Sequence, residues 1–128
     1  MICLSGNWQN SHSNNGSRLQ EPHPPYPYIV KEVKFTNSKD GARLAGTLTI
    51  PNTQNIFPAV VLISGSGLQD RDETTHNHKP FKVLADFLTR QNIAVLRYDD
   101  RGAGQSTEPM NELTPENFAK DAYSALQY

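Results

Sequence analysis

The run Ser64-Gly65-Ser66-Gly67 follows directly on the apolar stretch Pro58-Ala59-Val60-Val61-Leu62-Ile63. Glycines in that place let the backbone turn sharply and leave amide N–H groups open at the end of a strand. Three kinds of chemistry compete for such a loop. Phosphate cradling is one, but neither a Gly-x-x-x-x-Gly-Lys nor a Gly-x-Gly-x-x-Gly run follows. Plain turn formation is another. The third is half of an oxyanion hole, with a backbone N–H aimed at the charge that develops on an acyl oxygen.

A second group is Tyr98-Asp99-Asp100-Arg101-Gly102-Ala103-Gly104-Gln105-Ser106. Asp100 and Arg101 read as the polar pair of a tight turn, bonded to each other or to backbone, with Gly102 and Gly104 allowing the bend. Ser106 is flanked two residues away by Gly104 and Glu108. That is not the Gly-x-Ser-x-Gly setting of a nucleophile elbow, so Ser106 reads as structural.

The charged stretch between them holds Gln69-Asp70-Arg71-Asp72-Glu73 and Thr75-His76-Asn77-His78. His76 and His78 open like the His-x-His-x-Asp-His pattern of dinuclear zinc hydrolases. Lys79, Pro80 and Phe81 then stand where ligands are needed, and two histidines are too few for a closed site. No metal site is assigned. The stretch reads either as a solvated loop or as a lid, with Gln69, Asp70, Arg71 and His78 as candidate substrate contacts.

The elements that must position these residues can be read from periodicity. Ile29–Thr36 and Arg43–Ile50 alternate as strands around the turn residues Asn37-Ser38-Lys39-Asp40-Gly41, giving an antiparallel pair. Pro58–Ile63 and Ile93–Tyr98 are short continuous apolar runs, as in strands buried on both faces of a parallel sheet. Between them, Pro80 suits a first helical turn, and Phe81, Leu84, Ala85 and Leu88 share one helical face. Thr114-Pro115-Glu116 is a helix start, and Phe118, Ala122 and Leu126 follow at four-residue steps. The order β-β-β-α-β-α predicts an α/β fold with a mostly parallel sheet.

Residues 1–28 differ in kind. They are rich in Asn, Ser, Gln and Gly and end in Glu21-Pro22-His23-Pro24-Pro25-Tyr26-Pro27-Tyr28. This reads as a flexible tail and a semi-rigid proline-rich linker, with residues 29–128 as the folded part. The 128 residues carry a net charge of −1 and no basic stripe, which argues against nucleic acid as a partner. No apolar run reaches the roughly 20 residues of a membrane span. Met1-Ile2-Cys3-Leu4 lacks the basic and apolar regions of an export signal, and no compartment follows from it. Cys3, the single cysteine, excludes an internal disulfide.

Taken together, the two glycine turns resemble those of the α/β-hydrolase superfamily, whose third strand ends in a His-Gly-x-x loop and whose fourth ends in Asp-x-Arg-Gly-x-Gly-x-Ser. Ser64 stands where histidine is common. AGTLTIP, PAVVLISGSGLQDRDE, HKPFKVLADFLTR and IAVLRYDDRGAGQST are similar to a bacterial group of serine esterases near the prolyl oligopeptidase and serine aminopeptidase hydrolases. The resemblance runs from Glu21 to Tyr128.

The resemblance implies an enzyme that attacks a small-molecule acyl ester with a serine, through an acyl-enzyme, with no metal or organic cofactor. It makes the backbone N–H of Ser66 or Gly67 an oxyanion-hole donor. It places the nucleophile on an elbow after a fifth strand, and no such elbow occurs among these residues. On this reading the chain is the N-terminal part of a catalytic domain, without its catalytic Ser, Asp and His. Residues 1–28 include the joint to, and the end of, an upstream domain. A serine aminopeptidase-like hydrolase and a non-catalytic module completed by a partner chain are the alternatives.

Overall fold

The computed structural model describes residues 20–65, 67–107 and 113–128. Strand β1 spans Tyr28–Thr36, β2 Arg43–Pro51, β3 Ala59–Leu62 and β4 Ala94–Tyr98; helix α1 spans Pro80–Arg90 and α2 Pro115–Gln127. The element order is the expected one, with boundaries one or two residues from those read in the sequence.

The turn chemistry between β1 and β2 closes a regular hairpin. Asn37 exchanges backbone bonds with Gly41 and Ala42, both 2.8 Å, and Gly41 takes φ +81°. Asp40 Oδ1 accepts the Ala42 N–H. The strands lie in the order β1-β2-β4-β3. β4 pairs parallel with β3 and antiparallel with β2. The hairpin joins along that antiparallel edge, so these four strands form a mixed sheet rather than a mostly parallel one.

Alternation along the strands sorts the two faces. Val33, Phe35, Leu44, Leu96 and Tyr98 form the core on one face with Ala125 of α2. Thr47, Thr49, Val95 and Arg97 look the other way, where Thr49 Oγ1 meets Thr89 Oγ1 of α1 at 2.7 Å. The helices thus cover opposite faces, and every residue of β4 is buried. β3 is only half-buried, because its outer edge has no neighbouring strand among the described residues.

Both helices turn a slightly different stripe inward from the one read in the sequence. In α1 the buried residues are Ala85 and Thr89, and Leu84 is exposed. In α2 they are Asp121 and Ala125, and Leu126 is 67% exposed. In α2 the cause is helical pitch: at 3.6 residues per turn, the eight residues from Phe118 to Leu126 carry a side chain about 80° around the axis, off the buried stripe.

The proline-rich segment is fastened to α1. Glu21 pairs with Lys82 at 2.9 Å and with Lys79 at 3.7 Å. The rings of Tyr26 and Tyr28 stack at 5.3 Å, and the Tyr28 hydroxyl donates to Asp86 at 2.7 Å.

Candidate active site

A cleft of about 390 Å³ opens at the carboxyl ends of β3 and β4, lined by Ile63, Ser64, Gly65, Gly67, Tyr98, Asp100, Leu113, Pro115 and Phe118. In open α/β sheets this end of the strands is where ligands bind. The loop after β3 enters it and leaves through Gln69. Gly67 adopts φ +88°, a conformation that L side chains rarely take. Ser66 lies outside the described residues.

The amides of this loop divide into engaged and open ones. Gly65 N–H donates to Glu73 Oε1 at 2.7 Å, and Gln69 N–H donates to Asp100 Oδ2 at 2.9 Å. The Gly67 N–H has no partner among the described residues. An open amide at a cleft, between neighbours already committed, is what a developing oxyanion requires.

Asp99 and Asp100 sit side by side in two different environments. Asp100 Oδ1 accepts the Ser64 hydroxyl at 2.7 Å, and its own N–H donates to the Gln69 carbonyl at 3.0 Å. Burial raises its carboxyl above the ordinary range; the bonds from Ser64 and Gln69 oppose this, and the Asp121 and Glu73 carboxylates add to it. Asp99 is also buried, which alone would raise it. The Arg71 guanidinium and the backbone N–H groups of Gln105 and Arg71 outweigh burial and hold it below the ordinary range. The sequence leaves open which aspartate matches the motif; the geometry gives each a separate task.

Arg71 uses all five of its guanidinium donors. Nε and Nη2 reach the Asp99 carboxylate at 3.1 and 2.7 Å, Nη1 reaches Glu32 and Thr47, and Nη2 also reaches Gln105. Asp70 closes its own turn, accepting from Asp72 N and Thr74 N. These two candidates line a second, polar cleft on the α1 side, with Asp72, Lys79 and Arg97, away from the β3 loop. Gln69 reaches the loop through its backbone. His78 exchanges backbone bonds with Thr75 at 2.7 and 2.9 Å, with His76 and Asn77 at positive φ between them. The His-x-His spacing is therefore a tight reverse turn. Among the described residues no group of three or more His, Cys, Asp or Glu could hold a metal ion.

Arg101 does not pair with Asp100. Its Nε and Nη2 grip Asp121 of α2 at 2.7 and 2.6 Å, and its Nη1 reaches Asp40 in the β1–β2 turn at 2.7 Å. Asn37 Nδ2 adds a bond to Asp121 at 2.7 Å. This buried cluster fixes the Asp-Arg-Gly turn and the helix that brings Phe118 to the cleft. Ser106 is fully committed, donating to the Asp99 carbonyl at 2.7 Å and accepting from Ala45 N at 3.0 Å. Asp121, Asn37 and Glu73 escaped the sequence reading. Asp121 carried a signal: it lies three residues after Phe118 and four before Ala125, on the inward stripe.

Strand order, helices on opposite faces and a glycine loop at the end of β3 define an α/β hydrolase. Solved structures agree on the fold. The α/β hydrolase GrgF of Penicillium sp. sh18 superposes with a TM-score of 0.57 at 24% identity, covering 77% of this chain and 31% of that one. The Pyrococcus furiosus esterase PF2001 gives 0.59 at 17% identity, covering 97% and 38%. Within this class, residues 9–116 match the FrsA-like esterase family, and the chain belongs to it. Esterase EstD of Thermotoga maritima is 39% identical over 84 residues, 66% of this chain. The chain spans 20% of that relative's length.

Proposed function

We propose that these residues form the oxyanion-loop portion of a serine hydrolase acting on small-molecule carboxylic esters. The observation that carries the reading is the open Gly67 amide at the cleft, flanked by the engaged amides of Gly65 and Gln69. The family and the esterase named as a relative support it. On this reading the nucleophile comes from polypeptide outside these residues, since no Gly-x-Ser-x-Gly occurs within them, and the acid and histidine follow it in α/β-hydrolase chain order.

In this scheme a serine oxygen attacks the ester carbonyl carbon and its proton passes to a histidine. The carbonyl oxygen becomes an oxyanion and is held by the Gly67 N–H, with Ser66 as the neighbouring donor. Collapse of the intermediate expels the alcohol, protonated by the histidine, and leaves the acyl-enzyme. Water repeats the sequence and releases the acid. Losing one oxyanion donor costs on the order of 100- to 1,000-fold in rate.

Two proteins test this: the 128 residues alone, and the same residues continued downstream through the elbow serine, the acid and the histidine. The longer protein is expected to hydrolyse p-nitrophenyl acetate and to lose that activity to a serine reagent. The 128 residues alone are expected not to. Turnover by the short chain, abolished by the same reagent, would sink the proposal. The edge of β3, unpaired among the described residues, favours a second reading, an α/β module whose sheet a partner chain completes. Size measurement with and without the downstream polypeptide separates the two.

A further inference from the structure

Asp100 touches both ends of the β3 loop. Its Oδ1 takes the Ser64 hydroxyl at 2.7 Å where the loop begins, and its Oδ2 takes the Gln69 N–H at 2.9 Å where the loop ends. A third bond, Asp100 N–H to Gln69 carbonyl at 3.0 Å, doubles the second attachment. The carboxylate is buried and comes from β4's turn, which Arg101 anchors to α2 through Asp121. Gly67 stands inside the span so clamped, at φ +88°.

We propose that Asp100 is a positioning residue, which aims the oxyanion-hole amide by bracing the two ends of its loop from the neighbouring strand. It touches no reacting atom. Its effect passes through Ser64 and Gln69 to the direction of the Gly67 N–H. Transition-state stabilisation by an amide depends on preorganised direction, so a loosened loop lowers kcat more than it raises KM. This inference rests on the serine-hydrolase reading above.

The test uses the longer, serine-containing protein and p-nitrophenyl acetate, with rates counted per active site by titration with a phosphonate. Asp100→Asn keeps shape but turns an N–H donor or a single oxygen toward two donors. Ser64→Ala removes one attachment, and Ser64→Thr keeps the hydroxyl. The expected result is a tenfold or greater fall in kcat for Asp100→Asn and Ser64→Ala, with KM within about twofold. Ser64→Thr is expected to retain most of the wild-type kcat. Per-site kcat within twofold of wild type in both Asp100→Asn and Ser64→Ala would overturn the positioning role while leaving the esterase reading intact. So would a loss that disappears once rates are counted per titrated site. No serine-reagent-sensitive hydrolysis by the wild-type protein would sink the esterase reading and this inference with it.

Discussion

Asp121 of α2 and Arg101 of the β4 turn meet through two hydrogen bonds of 2.6 and 2.7 Å, with side chains 1% and 3% exposed. Removing Asp121 leaves the buried Arg101 guanidinium with Asp40 as its one remaining carboxylate, and losing the buried partner of such a pair costs up to about 3–5 kcal/mol. Asp121→Ala is expected to destabilise by that amount in urea titration. Asp40→Ala removes the more exposed partner of the same guanidinium, and about 1 kcal/mol or less is expected. Equal losses from the two variants would contradict the burial argument.

Gly104 takes φ +50°, and a Cβ there would stand 2.5 Å from Asp99 Cγ. The Asp99 carboxylate cannot step aside, because Arg71 and the Gln105 N–H hold it. Gly41 has φ +81° and open space around it. Gly41→Ala is expected to cost roughly 1–2 kcal/mol from backbone strain alone. Gly104→Ala is expected to cost clearly more, measured by thermal unfolding of the two variants side by side.

The adjacent aspartates predict opposite pH slopes. Asp99 is held below its unfolded pKa of about 3.9. Its contribution to stability is therefore complete above that value and lost as pH falls through the lower folded value. Asp100 is raised, so its contribution is complete below about 3.9 and is lost as pH rises through the folded value. Asp99→Asn is expected to flatten the acid limb of the stability curve. Asp100→Asn is expected to remove the decline on the upper side of that window. Denaturant midpoints between about pH 2 and 6 check both signs.

Among the described residues the outer edge of β3 is unpaired, and Ile56, Ile63 and Leu126 are exposed near it or on the facing helix. Open apolar edges template aggregation, and a lysine beside them opposes it. The 128 residues alone are expected to scatter light at micromolar concentration, and Ile56→Lys is expected to reduce that scattering. A stable monomer in sedimentation would contradict this.

Much of this was legible in the residues. Strand and helix order followed from period and from the Pro80 and Thr114-Pro115 starts, because local backbone chemistry sets them. The β3 loop was legible from Gly65 and Gly67. The tasks of Asp99 and Asp100 were not, since they depend on which way neighbouring side chains leave a strand and on partners 28 to 36 residues away. The network around Arg71 was hidden for the same reason: its four side-chain partners, Glu32, Thr47, Asp99 and Gln105, come from β1, β2 and the β4 turn.

The placement of β4 between β2 and β3 has a consequence for synthesis. β3 leaves the ribosome before β4, the strand it pairs with among the described residues. It and the loop it carries wait, undocked, while α1 and β4 are made, a delay of a few seconds at about 5–20 residues per second. Its apolar Val60-Val61-Leu62 run is without its β4 partner throughout that interval. Chaperones that hold short apolar segments have that interval in which to engage it, before β4 captures it.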